Sequence, residues 1–409
     1  MKKWLHLVLI FSSLIKTRIF HVSELILYYL FSIVPRQKNL WVFGCGFGYA
    51  DNSKYLFEEA IVNHPEIRAK WISLNKKDAK VLKQKGIDAY WNKSFLGIYF
   101  ALRAKVYIYT GRTNDINFVT SRTAFKFCLW HGALIKEIEF LISKGPLVKR
   151  YDNSIGSRID FATCYQKPNL LLTMGKVSSK LLMNSMRVSE KQCVANIYPR
   201  CKNFILSEKH QLDYLHYSGG LSETLYKITR KYKKTYVYMP TFRDSRPDFL
   251  SEAKFNLDKL NQALIETGSY LILKVHPNTI KHLQIIHSYS NIFIVREAFD
   301  IYPLLPFIDI LITDYSSIYF DFLYLRKGII LFPFDLEKFI SEDRPFVVDY
   351  NKDIKATRAE TFDQLIEIIK SGNDCQLSYD DFEDMMNRYN SSNNIDLIDY
   401  VKQLIKFKS

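Results

Sequence analysis

The stretch IDILITDYSSIYFDFLYLRKGIILF, residues 308–332, decides the fold class of this chain. An apolar run ends at Asp314, a strongly apolar helical segment follows, and a second apolar run begins at Gly328. Short apolar runs bounded by turn residues are typical of strands that are buried on both faces of a sheet. A strand, a helix and a second strand in this order predict a βαβ unit of a parallel sheet.

The same alternation extends along the rest of the chain. Strand-like runs are LWVFG (40–44), AKWISL (69–74), KVYIYTG (105–111), FKFCLW (125–130), TYVYM (235–239), YLILKV (270–275) and IFIV (292–295). Helix-like runs between them include residues 52–64, 77–86 and 256–268. This pattern predicts an α/β chain of GT-B type, in which two doubly wound, Rossmann-like domains face each other across a cleft.

The polar segment 200–234, with Ser-Gly-Gly at 218–220, separates the two halves. We therefore expect a helical segment at 1–35, a first domain at 36–215 and a second domain at 216–409. The first segment holds two apolar runs, 4–15 and 19–35, and both are too short for an ordinary spanning helix of ~20 residues. A helix or helical hairpin lying on a membrane is favoured over insertion through it or packing on the protein's own core.

The net charge and the cysteine content indicate which ligands and metal sites to expect. The 57 Lys and Arg residues exceed the 42 Asp and Glu residues, which gives a net charge of +15 and suits polyanions: phosphate esters, nucleic acid or an acidic lipid surface. The basic residues are dispersed and no nucleic-acid-binding motif is found, so we expect no nucleic acid partner. The 6 cysteines form no CxxC pair, which indicates reduced thiols and no zinc site.

Two histidines directly follow strand-like runs, one in each half. His131 stands in LWHGALIKE and His276 in LKVHPN. A neutral histidine accepts a proton near neutral pH, so His131 is a candidate general base, and His276 is a candidate hydrogen-bond donor to a phosphate. If the two halves face each other, both side chains lie in one cleft. Structural roles in a core or at a helix end are the alternative for each.

The second half also contains candidate phosphate ligands. Ser316 and Ser317 stand after Asp314 at a helix start, where unpaired N–H groups attract phosphate, although a helix cap would explain one of them. Thr241 and Arg243 follow a strand in MPTFRDSR, and Arg344 lies in a polar bend. Arginine suits bidentate phosphate contacts. A solvated charged loop is the alternative for Arg344.

Eight stretches in order resemble the CDP-glycerol glycerophosphotransferases of teichoic-acid and capsule synthesis. They are PRQKNLWVFG, YADNSKYLFE, LWHGALIK, IYPRCKNFIL, MPTFRD, LKVHP, ITDYSSIYFDF and DLEKFISEDRPFVVDY, and they cover nearly all of the chain after residue 35. The resemblance implies a GT-B fold, peripheral or monotopic association with the cytoplasmic face of the cell membrane, and no metal or other cofactor. It implies transfer of glycerol phosphate or a related polyol phosphate from CDP-glycerol or CDP-ribitol, with release of CMP.

The implied acceptor is a hydroxyl of a membrane-linked glycan or polyol-phosphate chain beside an anionic membrane surface. By motif, His131 resembles the catalytic base and His276 the second essential histidine. The resemblance places Gly132 and Lys136 on the acceptor side. It implies that the donor phosphates are bound by Thr241, Arg243, Asp314, Ser316, Ser317 and Arg344. The chain departs from the family pattern after WHG and after YPR, and we expect those two loops to touch the acceptor or the polyol.

Two other functions are compatible with these residues. One is a GT-B glycosyltransferase that uses a nucleotide sugar in surface polysaccharide synthesis, because it shares the fold and the phosphate site. The other is a non-enzymatic, membrane-docked protein that binds anionic polymers, in which both histidines would be structural. The GxxxxGK[ST], GxGxxG and HExxH motifs are all absent, which argues against several other nucleotide and metal enzymes.

Overall fold

The computed structural model describes residues 17–243, 246–283, 285, 287–296 and 299–406. These residues form an α/β structure with two parallel sheets, one of seven strands and one of six. Each sheet is built by strand–helix alternation, as the sequence predicted. All of the named strand pairs in the described residues run parallel.

The first sheet has the strand order β3-β2-β1-β4-β5-β6-β7, which is that of a doubly wound fold. Its strands are β1 (Gln37–Gly44), β2 (Arg68–Ser73), β3 (Ala89–Trp91), β4 (Ala104–Tyr109), β5 (Phe125–Cys128), β6 (Leu170–Thr173) and β7 (Cys193–Ala195). The helices of this half are α1 (17–30), α2 (Asp51–Asn63), α3 (Lys76–Gln84), α4 (Phe95–Arg103), α5 (Ile155–Asp160) and α6 (Lys176–Met186).

The second sheet repeats this order as β10-β9-β8-β11-β12-β13. Its strands are β8 (Lys234–Tyr238), β9 (Ser269–Leu273), β10 (Ile292–Ile294), β11 (Ile310–Thr313), β12 (Gly328–Leu331) and β13 (Thr357–Arg358). The later helices are α7 (Glu208–Ser218), α8 (Gly220–Thr229), α9 (Leu257–Thr267), α10 (Pro277–Ile280), α11 (Ile318–Leu323), α12 (Leu336–Lys338), α13 (Tyr350–Asp353), α14 (Phe362–Ser371), α15 (Tyr379–Tyr389) and α16 (Leu397–Leu404).

The βαβ unit that decided the fold class consists of β11, α11 and β12. Both strands are fully buried, as expected for a sheet covered on two faces. The helix is shorter than its apolar pattern predicts. After Leu323 the backbone closes 3₁₀-type turns, and Arg326 has φ 53°, a left-handed conformation that commonly ends a helix.

The end of the chain returns to the first sheet, which the sequence did not predict. The Tyr389 carbonyl accepts from the Gly175 N–H at 3.0 Å, and the Asn393 carbonyl accepts from the Ile197 N–H at 2.9 Å. Asp396 is the N-cap of α16, and its carboxylate lies 3.0 Å from Nε2 of the buried His64. The two halves are therefore joined by this tail as well as by the chain between β7 and β8.

The N-terminal segment is seen only in part. The apolar run 4–15 lies outside the described residues, whereas most of the run 19–35 forms α1. Tyr28 of α1 stacks on Phe118 with ring centroids 4.7 Å apart, so one face of the helix packs on the protein. Among the described residues, no helix combines the length and the apolar character needed to cross a bilayer.

Candidate active site

A cavity of about 460 Å³ is lined by residues of both halves. The first half contributes Phe47 and, after β5, residues 130–136 and 138, and the second contributes residues 240–242, 315–317, 339 and 343–344. The lining segments follow the carboxyl ends of β5, β8 and β11, the edge at which open α/β sheets bind ligands. Seven of the predicted site residues line this cavity: His131, Gly132, Lys136, Thr241, Ser316, Ser317 and Arg344.

His131 presents a partly exposed imidazole ring to this cavity. The ring packs against Trp130, with centroids 4.2 Å apart, and edge-on against Phe47. Its Nδ1 is buried and has no hydrogen-bond partner among the described atoms. Burial lowers the pKa of His131 to about 4, although the nearby Asp51 carboxylate opposes this effect. The imidazole is therefore neutral at pH 7 and able to accept a proton.

The close approach of the two halves explains the glycine after His131. A Cβ atom at Gly132 would overlap the Ser317 hydroxyl, and the backbone there has φ 153°. Only glycine therefore lets this segment lie directly against the serines of the other half. The geometry brings His131 and Ser317 to the same wall of the cavity.

Backbone hydrogen bonds also connect the halves on the other side of the cavity. Lys136 forms an antiparallel bridge with Phe346, the Glu137 N–H donates to the Pro345 carbonyl at 2.9 Å, and the Val347 N–H donates to the Ile135 carbonyl at 2.9 Å. This short pairing places the side chains of Lys136 and Arg344 in the cavity lining. It brings two cationic side chains to the site from opposite halves.

Three hydroxyl groups face the cavity from the second half. The Thr241 Oγ1 is buried without a described partner, and the Thr241 N–H donates to Asp314 at 2.8 Å. Ser317 precedes α11, but its side chain makes no capping hydrogen bond. The Ser316 Oγ accepts from the Ile318 N–H at a long 3.5 Å. These hydroxyls are not committed to holding the helix, so they can donate to an anion in the cavity.

Two predicted phosphate ligands lie beneath the cavity. Arg243 is fully buried, and its guanidinium donates to Asp314 at 2.9 Å and to Asp335 at 2.8 and 2.9 Å. Asp314 is also buried and accepts the N–H groups of Thr241 and Tyr315. Arg243 and Asp314 thus do not line the cavity, unlike the other predicted phosphate ligands of this half, and their cluster bonds to the Thr241 and Tyr315 backbone.

His276 lies beside the cavity and does not line it. Its exposed ring packs on Phe242, which does line the cavity, with centroids 4.1 Å apart. Its Nδ1 accepts from the Asn278 N–H at 3.2 Å at the start of α10. Because Nδ1 is an acceptor, the neutral ring carries its proton on Nε2 and can donate from that atom.

The sequence missed some residues of this site and misplaced others. Phe47, from the GCGFG stretch, lines the cavity as an exposed aromatic ring; the glycines around it were the available signal. Of the two divergent loops expected to touch the acceptor, Ala133 and Leu134 do line the cavity. Cys201 is fully buried, and Lys202 pairs with Glu59 at 2.8 Å, so the loop after YPR does not reach it.

A possible metal-ligand cluster lies elsewhere in the described structure. His64, Asp396 and Asp399 bring one ligand atom each within 4.8 Å of one another. The Lys402 ammonium lies 3.3 Å from His64 Nδ1 and 2.6 Å from the Asp399 carboxylate. A cation therefore already pairs with Asp399 of this cluster, while Asp396 bonds to His64, and the arrangement fixes α16 to the first half.

Sequence comparison decides the family. The family model described as CDP-Glycerol:Poly(glycerophosphate) glycerophosphotransferase matches residues 26–401. The chain belongs to this family. The predicted family and enzyme class of this glycerophosphotransferase are thereby confirmed.

Individual relatives agree with this membership. The glycerophosphotransferase is 28% identical over 366 residues to the teichoic acid glycerol-phosphate transferase of Staphylococcus aureus, covering 87% of this chain and 90% of that one. It is 27% identical over 356 residues to the teichoic acid poly(glycerol phosphate) polymerase of Bacillus subtilis, covering 84% of this chain but only 45% of that one. The solved structure of the wall teichoic acid polymerase TagF has the same fold, with a TM-score of 0.73, 20% identity and 97% of each chain covered.

Proposed function

We propose that this enzyme transfers glycerol phosphate, or a related polyol phosphate, from a CDP-activated donor to an acceptor hydroxyl during teichoic acid synthesis. The observation that carries the proposal is the neutral, cavity-lining His131 facing hydroxyl and cationic side chains of the other half. Family membership supports the donor class, CDP-glycerol with CDP-ribitol as the alternative. The acceptor is a polyol-phosphate chain or a membrane-linked glycan.

The chemical step needs a base and a charge-stabilising site. His131 removes the proton from the acceptor hydroxyl, whose oxygen then bonds to the phosphorus that carries glycerol. The bond from that phosphorus to the bridging oxygen breaks, and CMP leaves with the electron pair. Phosphoryl transfer depends chiefly on positioning and on stabilisation of charge around phosphorus, so a neutral base beside fixed donors suits it.

The donor pyrophosphate binds at the side chains that the second half presents to the cavity, next to His131. Thr241, Ser316 and Ser317 supply hydroxyl donors and Arg344 supplies positive charge, whereas Gly132 and Lys136 line the acceptor side of the cavity. Arg243 and Asp314 act indirectly, because they hold the Thr241 backbone from below. The Nε2–H of His276 reaches a donor phosphate from the cavity edge beside Phe242.

The finer features of the architecture are part of the proposal. The two parallel sheets support a GT-B arrangement with the acceptor in the first domain, 36–215, and the donor in the second, 216–409. Segment 1–35 docks on an anionic membrane at the cytoplasmic face. The outer face of α1 supports this docking, since Ile19, Phe20, Ile26 and Leu30 are all more than half exposed.

The test is CMP release by the purified enzyme, first from CDP-glycerol and then from CDP-ribitol, with and without a membrane-lipid acceptor extract. We expect acceptor-dependent release that falls by about 10²–10⁴-fold in His131→Ala. The matched control is His210→Ala, which removes an exposed histidine on α7 and leaves release unchanged. Consumption of a UDP- or GDP-sugar with no CMP from either donor would overturn the proposal in favour of a glycosyltransferase.

A further inference from the structure

A buried triad of charges lies beneath the active site and joins the two halves. Arg200 stands on the 3₁₀ turn Pro199–Ile205 of the first half and is only 4% exposed. Its Nη1 donates to Asp51 at 2.5 Å, and its Nη2 donates to Asp321 at 2.6 Å. Asp51 begins α2 in the first half, whereas Asp321 lies on α11 in the second. One guanidinium therefore pairs with a carboxylate from each half.

The same guanidinium holds the backbone of the catalytic histidine. Arg200 Nη2 also donates to the His131 carbonyl at 3.1 Å. The preceding Trp130 has φ 53°, a left-handed conformation that is strained for a bulky residue and persists only when its surroundings enforce it. Asn52 donates to the Trp130 carbonyl at 2.9 Å and accepts the Arg200 N–H at 3.3 Å. The adjacent carbonyls of Trp130 and His131 are thus held by the side chains of Asn52 and Arg200.

The other end of the triad fixes the donor side. Asp321 lies one helical turn beyond Ser317 and is fully buried, and it accepts a second hydrogen bond from the Tyr302 hydroxyl at 2.6 Å. A shift of α11 would separate Asp321 from Arg200, and the buried carboxylate would then lack a positively charged partner. The position of the serines and that of His131 are therefore set by contacts to one side chain.

We propose that Arg200 is a positioning residue, which bonds the His131 carbonyl and the Asp321 carboxylate with one nitrogen and so fixes the base relative to Ser316 and Ser317. The inference rests on the proposed function, because it gives His131 and the serines their roles. Arg200 does not line the cavity, so it acts through the groups that do. A displacement of about 1 Å in such a site lowers the rate by about 100-fold.

Arg200 also controls the electrostatic environment of His131. The charged groups that face this histidine are Asp51, Arg200, Lys136 and Arg344. Without Arg200, the Asp51 carboxylate has no counter-ion and stabilises the imidazolium form. Loss of Arg200 should therefore raise the pKa of His131, whereas a purely structural defect would lower activity equally at every pH.

The experiment is the NMR titration of the His131 ring in the double variant Arg200→Gln/Asp321→Asn. This variant removes one charge of each sign, so the triad keeps its net charge, while the shorter glutamine side chain loses the contact with the His131 carbonyl. We expect the His131 titration to move upward by about 1 pH unit or more. The matched control is Lys202→Gln/Glu59→Gln, which removes the ion pair on the same turn and leaves the titration unchanged. A folded double variant with the wild-type titration would overturn the proposal.

A second variant keeps the test decisive if the double variant does not fold. Arg200→Lys retains the charge but reaches only one of the three acceptors, so kcat should fall about 100-fold while KM for CDP-glycerol changes little. An unchanged kcat would overturn the positioning role. Absence of CMP release by the wild-type enzyme would instead overturn the proposed function, and the titration would still report on the Arg200–His131 contact.

Discussion

At the scale of single residues, His131 makes the folded protein sensitive to acid. Burial lowers the pKa of its ring to about 4 in the folded state, against about 6.5 in the unfolded chain. Between these values the unfolded chain binds more protons, so the free energy of unfolding decreases as the pH falls from 6.5 towards 4. His131→Gln should lose less stability over this window, by at most about 1.4 kcal/mol per pH unit.

Urea denaturation at pH 7 and pH 5 measures this difference. Other groups that titrate in the window act alike in both proteins, so the change in unfolding free energy between wild type and variant isolates His131. His210→Ala, at an exposed histidine, should reproduce the wild-type pH dependence. Equal acid sensitivity of wild type and His131→Gln would show that the ring is solvated in the folded protein.

The sequence predicts that His131 and His276 lie at strand ends, but it does not predict which side chains surround them. His131 and His276 were identified because each follows a strand-like run, and strand ends can be predicted from apolar patterns. Whether Arg243 faces the cavity or the core depends on partners more than 70 residues away, Asp314 and Asp335, which no local pattern reveals. Arg200 was overlooked for the same reason, since its partners come from α2 and α11.

At the scale of elements, the Arg243 cluster holds together the loops that follow β8, β11 and β12. Arg243 contacts Asp314 and Asp335 in a site with almost no solvent, and the Tyr315 hydroxyl donates to Asp335 at 3.1 Å. Asp335→Asn leaves the guanidinium short of one negative charge, so we expect a loss of about 3–5 kcal/mol in unfolding free energy. The midpoint of urea denaturation measures it.

An ion pair on the same segment provides the control. Lys338 contacts Glu252 at 2.8 Å, but both side chains are substantially exposed, so Lys338→Ala should cost no more than about 1 kcal/mol. If Asp335→Asn costs no more than this control, the buried cluster does not stabilise the loops.

Strand and helix order could be predicted from the sequence because each element has its own periodicity. The return of residues 389–396 to the first sheet could not, because it depends on single backbone contacts such as Gly175 with Tyr389.

At the scale of the whole molecule, the distribution of apolar surface and charge predicts binding to an anionic membrane. Helix α1 packs through Tyr28 on Phe118 and exposes Phe20 and Leu30 on its other side. A two-faced helix of this kind suits a membrane interface, with the apolar face towards the lipid, and a net charge of +15 favours an anionic leaflet. We therefore expect binding to phosphatidylglycerol vesicles that weakens as the salt concentration rises.

Substitution on the outer face of α1 tests this surface. Phe20→Ser and Leu30→Ser should each reduce vesicle binding by about 10-fold, because each removes an apolar side chain whose burial in lipid is worth roughly 1.5 kcal/mol or more. Val62→Ser is the matched control, as it removes an apolar side chain of α2 that is even more exposed, at 77% against 58% for Phe20 and 57% for Leu30. Co-sedimentation measures the bound fraction, and CMP release from soluble CDP-glycerol to a short acceptor should stay unchanged in all three variants. Equal binding by the control and the α1 variants would mean that this helix face does not contact the membrane.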